Sequence, residues 1–273
     1  MKPIRTLALI VNKLKPGACE FSGSLESIAR GVGITVQMTE DYPISGGFLN
    51  GADACCALGG DGTLLRTLNE SIRSKVPVFG INQGKLGFLA TFPKENIEAN
   101  FRKLVEGQYQ IAERNLIDAQ MSTGQSIYCL NDLVIKTANN FRLVDLEVFA
   151  DNERITSYSC DGLIFSTSTG STAYNLSAGG PIIYPGSGVM VMTPICPHTL
   201  SNRALIFANA CKLKVYNLEP QSTPLISHDG AILNTKQTPF PITIQLAKET
   251  FKLLQLPEYS HFEIIRNKLN WGN

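Results

Sequence analysis

The sequence predicts an α/β N-terminal domain on a parallel sheet, a predominantly β second domain of sandwich-like pattern, and a helical C-terminal tail. Three observations carry this reading. Apolar runs alternate with helical periodicity over residues 1–105, an apolar/polar alternation takes over after Gly107, and the helical period returns beyond Tyr259. The corresponding boundaries are 1–107, 108–257 and 258–273.

Leu7–Val11 reads as a first buried strand. Lys2 and Arg5 precede it, but the run is too short for a signal-peptide core or a membrane span, and Lys13 follows at once. A helix over Leu25–Arg30, a strand over Thr35–Met38, the apolar strand Ala54–Leu58, a helix over Leu64–Arg73 and a strand over Val76–Ile81 follow. Ile97, Phe101, Leu104 and Val105 then fall on one helical face. Strands and helices in this order imply a Rossmann-like parallel sheet covered on both faces, with ligands at the carboxyl ends of its strands. Beyond Gly107, Val144, Leu146 and Val148 alternate with Asp145 and Glu147; Leu213/Val215 and Ile242/Ile244/Leu246 repeat that period. In the tail, Phe262, Ile265 and Leu269 align, and Trp271 reads as a core anchor. No flexible linker separates the domains, so a cleft at a tight boundary near 106–111 is the expected binding place.

The densest chemical signal is Leu58-Gly59-Gly60-Asp61-Gly62-Thr63, between the Ala54–Leu58 strand and the helical face of Leu64, Leu65, Leu68 and Ile72. A strand that breaks into glycines and restarts as a helix presents free backbone amides, with the positive helix end behind them, to a phosphate. Gly59, Gly60, Gly62 and Thr63 form that phosphate-donor loop. Asp61 is the odd residue, because a carboxylate repels phosphate. Its presence makes sense if it holds Mg²⁺ against the phosphates or takes a proton from an attacking hydroxyl. A plain Gly/Asp turn is the alternative. The loop is neither a Walker A motif nor a G-x-G-x-x-G fingerprint.

Composition narrows the partners. The 273 residues are 44% hydrophobic and 17% charged, with 24 basic against 23 acidic residues. This is enough apolar material for a substantial core, with no basic field for nucleic acid or anionic membrane. A small-molecule partner is expected. Seven scattered cysteines without a C-x-x-C, and only three histidines, make no zinc spacing; Cys55 and Cys56 read as core residues. The odd count fits a reducing, cytoplasmic setting.

A second dense stretch runs from Asp161 through Ser166-Thr167-Ser168-Thr169-Gly170-Ser171-Thr172-Ala173-Tyr174. Hydroxyls and amides suit ribose and phosphate oxygens and an aromatic face suits a base, although a Ser/Thr-rich sheet-edge turn would look alike. The glycine-aspartate loop, Asn131-Asp132, the run Asp161–Pro181 and Thr193-Pro194-Ile195-Cys196-Pro197-His198-Thr199-Leu200-Ser201 occur in one order and spacing. Together they closely resemble the NAD kinase family over residues 54 to 271. Diacylglycerol, sphingosine and 6-phosphofructo-kinases share the first loop but not the later motifs.

The resemblance implies phosphoryl transfer from ATP or polyphosphate to the 2′-hydroxyl of the adenosine ribose of NAD, an alcohol acceptor, giving NADP. It implies Asp61 as proton acceptor with Gly62 beside it, and Asn131 and Asp132 as hydrogen-bonding partners of NAD. Asp161 with Thr172, Ala173, Tyr174, Asn175, Leu176 and Ser177 would hold the adenosine part, with Phe88 of the Gly84–Phe88 loop near the base. Arg142, Ser159 and Ala231 fall where family members place further contacts. Asp132 stands where Glu is frequent, Ser168 replaces a frequent Pro, Ala231 lacks the polar side chain of some members, and Ser159 lacks the basic group of others. Divalent metal, Mg²⁺ first, is expected to arrive with the donor phosphates, since no carboxylate cluster forms a protein cage. The family also implies a homodimer or homotetramer, with the Asp151–Asp161 segment near the shared border. His198 reads as structural, and His228 beside Asp229 as a turn or a ligand contact. The competing readings are a lipid or sugar kinase built on the same loop, and a non-catalytic NADP-binding sensor.

Overall fold

Thr6–Val11 forms strand β1, buried from Leu7 to Val11. Helix α1 spans Ala18–Gly31, β2 Thr35–Thr39, β3 Ala54–Leu58, α2 Asp61–Leu65, α3 Leu68–Ser74, β4 Val78–Asn82, β5 Phe92–Pro93 and α4 Ile97–Val105. This computed structural model describes residues 1–82, 87–138, 142–234 and 238–271. The chain divides into two compact units, Met1–Glu113 with Phe251–Asn273, and Arg114–Thr250.

In the first unit the strands run in the order β2-β1-β3-β4, with β5 also beside β4, and all these pairings are parallel. Leu7 pairs with Val36 and Ala54, and Cys56 with Phe79. Leu7, Leu9, Val11, Cys56, Leu58 and Phe79 face Leu25 and Ala29 of α1 and Phe101 and Leu104 of α4 in one core. Gly80 of β4 explains the tight packing on the opposite side. A Cβ there would sit 2.7 Å from the Ala90 Cβ and 3.4 Å from Leu64 Cδ1. Helix α1 begins at Ala18, before the expected Leu25, because Ala18 and Ser22 bury alongside Leu25 and Ala29 although they carry little apolar signal.

The single helix expected over Leu64–Arg73 is two short ones. The Leu64 carbonyl accepts both the Thr67 amide, at 2.9 Å, and the Thr67 hydroxyl, at 2.7 Å, which closes α2 in a tight turn. A side chain that bonds its own preceding turn competes with helix propagation. Leu64 and Leu68 are buried, while Leu65 and Ile72 are half-buried.

The second unit contains β6 (Gln110–Gln120), β7 (Ser126–Cys129), β8 (Asp132–Lys136), β9 (Val144–Ala150), β10 (Glu153–Cys160), β11 (Gly162–Thr167), α5 (Tyr174–Ser177), β12 (Val189–Ile195), β13 (Leu205–Ala208), β14 (Leu213–Asn217), β15 (Leu225–His228), β16 (Ala231–Ile232) and β17 (Ile242–Gln255). One antiparallel sheet has the order β10-β9-β14-β17, the other β13-β12-β11-β8-β15-β16. Leu146, Val148, Leu213, Val215, Ile242 and Ile244 of the first sheet share a core with Leu133, Ile135, Leu163, Phe165, Met190 and Met192 of the second. This is the sandwich that the alternating pattern predicts. Strands β6 and β17 carry the chain from one unit to the other, so the division falls inside strands.

The end of β17 returns to the first unit, where Leu253 pairs in parallel with Val78. Helix α6 spans His261–Leu269, and the Ser260 hydroxyl caps it by accepting the Glu263 amide at 3.3 Å. Its buried face agrees with the expected one at Ile265 and departs from it at Phe262. Ile264 and Ile265 are buried, Phe262 is 55% exposed, and Trp271 is 57% exposed and so anchors no core. The short helix presents two adjacent apolar residues to the core, a pattern the aligned Phe262, Ile265 and Leu269 obscure. Among the described residues no helix is long and apolar enough to cross a membrane.

Candidate active site

The glycine-aspartate loop sits at the carboxyl end of β3, where an open parallel sheet places its ligands. Its geometry depends on missing side chains. A Cβ on Gly59 would lie 2.2 Å from Thr63 Oγ1, so only glycine lets the strand end fold onto the start of α2. The Gly59 amide bonds the Ile81 carbonyl at 3.0 Å, and the Thr63 amide turns back to Gly60 at 2.9 Å. The amides of Gly60, Asp61 and Gly62 have no partner among the described residues, and Gly62 is exposed. These three are the donors the loop can offer a phosphate. Thr63 is buried, and its hydroxyl accepts from Asn12 Nδ2, at the end of β1, at 3.1 Å.

Asp61 does not project loosely into this nest. Its Oδ2 accepts the Phe88 amide at 2.9 Å, and its Oδ1 accepts the Leu89 and Ala90 amides at 3.1 and 2.8 Å. Three aligned amide dipoles screen the carboxylate and orient it, which answers how an acid tolerates a phosphate nest. A carboxylate has about four acceptor positions, so one remains for an incoming hydroxyl. Gly87 makes this approach possible, since a Cβ there would lie 2.1 Å from Asp61 Oδ1. Phe88, expected near a base, also lies under the Lys268 ammonium, 5.0 Å from its ring centroid. Gly84, at the start of that loop, lies outside the described residues.

The second unit repeats the device. The Asp229 carboxylate accepts the amides of Leu130, Asn131 and Asp132 at 2.8, 2.7 and 3.1 Å. From the other side, the Asn131 carbonyl accepts the Thr167 amide at 2.9 Å and the Ser166 hydroxyl at 3.2 Å. Gly170 packs so closely that a Cβ would lie 2.1 Å from the Asn131 carbonyl oxygen. The Asn131 backbone is therefore clamped, and its side chain is half-buried. Asp229 was readable only as an Asp-Gly turn residue. Its φ of 47° fits that turn, but its carboxylate reaches back about a hundred residues along the chain to order the Asn-Asp pair.

The hydroxyl-rich stretch is chiefly framework. Ser166, Thr167, Ser168, Thr169 and Ser171 are all buried. Ser171 Oγ donates to the Ser168 carbonyl at 2.8 Å and accepts the Ile183 amide at 3.0 Å. Asn175 is fully buried; its amide donates to the Ser171 and Pro181 carbonyls, both at 3.0 Å, and accepts from Thr193 Oγ1 at 2.6 Å. Gly180 leaves room for it. Tyr174 and Ser177 are exposed; Thr172, Ala173 and Leu176 are half-buried. Asp161 is half-buried, its amide and carbonyl taken by Ile195 and Thr137. Ser159 lies on β10, where its carbonyl accepts the His198 amide at 2.9 Å. His198 and Arg142 are exposed, and Ala231 is exposed at the start of β16, in register with His228.

The sequence matches the model of the ATP-NAD kinase N-terminal domain over residues 47–109 and that of the C-terminal domain over residues 130–256. The NAD kinase of Protochlamydia amoebophila is 32% identical over 97% of this chain and 98% of its own, and that of Syntrophobacter fumaroxidans 34% identical over 98% and 99%. The chain belongs to the NAD kinase family. Two solved structures share the fold. Yeast NADH kinase complexed with NADH has a TM-score of 0.84 at 22% identity, covering 100% of this chain and 89% of that one. The Archaeoglobus fulgidus NAD kinase in complex with ATP has a TM-score of 0.80 at 23% identity, covering 97% and 98%.

In this member of the NAD kinase family the Asn131-Asp132 pair carries an unusual proton. Burial first, and the neighbouring Asp229 carboxylate second, push the Asp132 carboxyl up to about 7. Burial raises Asp229 as well, but its three amide bonds pull it back, so Asp132 is the partner that keeps the proton. A carboxyl whose pKa is higher folded than unfolded binds more proton in the native state between about pH 4 and 7, so it lowers stability as pH rises through that window. Asp132→Asn removes this penalty. Without ligand, the variant is expected to gain on the order of 2–4 kcal/mol over the parent at pH 8 and almost nothing at pH 4. Urea melts across that range test it; a stability difference independent of pH would contradict the assignment.

Proposed function

We infer that this protein is an NAD kinase that transfers a phosphoryl group from ATP to the 2′-hydroxyl of the adenosine ribose of NAD, giving NADP. The observation that carries the mechanism is Asp61, held by three amides with one acceptor position left, beside a loop whose three amides have no partner among the described residues. A ribose hydroxyl is a weak nucleophile, and the phosphoryl transition state is loose. Positioning, charge stabilisation and one proton acceptor then suffice. Asp61 accepts the hydroxyl proton as the new O–P bond forms and the γ-phosphorus separates from the β–γ bridging oxygen, ADP leaving, while Gly60 and Gly62 direct amides at the transferring phosphoryl group. Asn131, Asp132 and Asp161 hold NAD by hydrogen bonds, with Phe88 and Tyr174 offering ring faces and Thr172, Ala173, Leu176 and Ser177 lining the adenosine part. The seven free cysteines, with Cys19 and Cys196 exposed, support a cytoplasmic setting.

Asp61→Asn keeps the shape and two acceptor positions of the side chain but cannot take a proton. Turnover is expected to fall by about 10²–10⁴-fold, with a much smaller change in NAD affinity. A steady-state assay that reads NADP enzymatically measures both, and near-normal turnover would remove Asp61 from the base role.

Mg²⁺ is proposed as the accompanying cation. No group of three His, Cys, Asp or Glu suited to a metal occurs among the described residues, so phosphate oxygens and water would supply its ligands, as Mg²⁺ prefers. It would neutralise donor charge. Chelation is expected to abolish NADP formation and leave the thermal melt unchanged; a metal retained through dialysis whose removal unfolds the protein would refute this.

We further propose a homodimer or homotetramer. Edge strand β13 exposes Ile206 at 55%, and β16, at the other edge of that sheet, exposes Ile232 at 60%; edges of this kind are normally covered. The Asp151–Asp161 segment contains β10, the edge of the other sheet. Charge reversals there should weaken assembly and NAD affinity together, and light scattering that finds a fully active monomer at assay concentration would rule the assembly out.

A further inference from the structure

Helix α6 brings a cation to the loop that holds Asp61. The Lys268 ammonium, on the last turn of the helix, lies 5.0 Å from the centroid of the Phe88 ring, and the Phe88 amide donates to Asp61 Oδ2 at 2.9 Å. Phe88 is thus fixed twice, at its backbone by the Asp61 carboxylate and at its ring by the tail. We propose that Lys268 is a positioning residue for the acceptor, holding the Phe88 ring in the orientation that meets the base of NAD. The proposal rests on the kinase reading above and adds to it the residue that sets the Phe88 face.

Three observations point this way. First, the end of α6 is firmly closed. Ile264 and Ile265 are buried and dock the helix, while Asn270 at φ 49° and the Trp271 amide, bonded to the Arg266 carbonyl at 3.3 Å, finish its last turn. A left-handed residue with a reverse bond across it satisfies the last carbonyls, so Lys268 projects from a fixed backbone. Second, Lys268 is exposed, yet among the described residues no carboxylate pairs with its ammonium. The attraction of a cation for the negative face of an aromatic ring holds it instead. Third, the backbone of Phe88 does not by itself set its ring. The Asp61 carboxylate fixes the amides of Phe88, Leu89 and Ala90, but the half-buried Phe88 side chain still turns about its own torsions. A cation on one face removes that freedom and leaves the opposite face for a base. Part of the ordering cost of binding is then met before NAD arrives.

The test measures NADP formation with ATP and Mg²⁺ in the parent, Lys268→Met, Lys268→Arg, Phe88→Leu and the double variant Lys268→Met/Phe88→Leu. Lys268→Met keeps the stem and removes the charge. It should raise the KM for NAD by about fivefold, the scale of one exposed cation–π contact. It should leave kcat and the KM for ATP unchanged, because the three amides that hold Asp61 remain. Lys268→Arg, which keeps a cation over the ring, should restore the parent's KM for NAD. In the Phe88→Leu background, Lys268→Met should have no further effect. An unchanged KM for NAD in Lys268→Met overturns the proposal. So does an equal rise in the Phe88→Leu background, which would have Lys268 meet the dinucleotide itself. A Phe88→Leu variant with the parent's KM for NAD would overturn the placement of Phe88 and the proposal with it. A parent that forms no NADP would overturn the kinase reading itself, a result distinct from the others.

Discussion

The Asp61 carboxylate and the three consecutive amides of Phe88, Leu89 and Ala90 form the contact on which the shape of the first unit's glycine-aspartate loop depends. Charge-assisted bonds of this kind contribute about 1.5–3 kcal/mol each, enough to hold the Phe88–Ala90 stretch, which lies outside any strand or helix. Two glycines permit it. Gly87 leaves room for the carboxylate, and Gly80 lets Ala90 lie against β4. The same three amides satisfy the acid, orient it and dilute its charge, so one interaction sets the loop's shape and makes an acid compatible with a neighbouring phosphate.

Asp229 solves the same problem in the second unit. Asn131 and Asp132 sit where a strand begins, and their amides have nowhere in the ladder to go. A carboxylate from the β15–β16 turn supplies the acceptors. The cost appears one residue on. Asp132 is buried beside that carboxylate, and its proton is held to about 7. A protonated carboxyl both donates and accepts a hydrogen bond, whereas a carboxylate only accepts.

The sequence was legible where the pattern was regular and local. Parallel strands of continuous apolar residues, the alternation of β9 and the glycine-aspartate loop stand in the structure as their spacing implies. It misled where a side chain answered to tertiary contact. Thr67 breaks the expected long helix through a bond to Leu64. Phe262 and Trp271 lie exposed, and Ile264 takes the buried place beside Ile265 that the helical stripe assigned to Phe262. The roles of Asp229 and Asn12 were illegible, since each acts on a partner far away in sequence.

The hydroxyl-rich stretch shows what motif letters encode. Its most distinctive residues, Ser166 to Thr169 and Ser171, are buried; the hydroxyls of Ser166, Thr167, Ser168 and Ser171 bond to backbone, and Asn175 is spent on Ser171, Pro181 and Thr193. Such residues fix where the chain runs. The positions left facing outward, Thr172, Tyr174 and Ser177, are chemically ordinary. A backbone held in place in this way has little freedom left to lose, which is how preorganisation lowers the ordering cost of any contact made there.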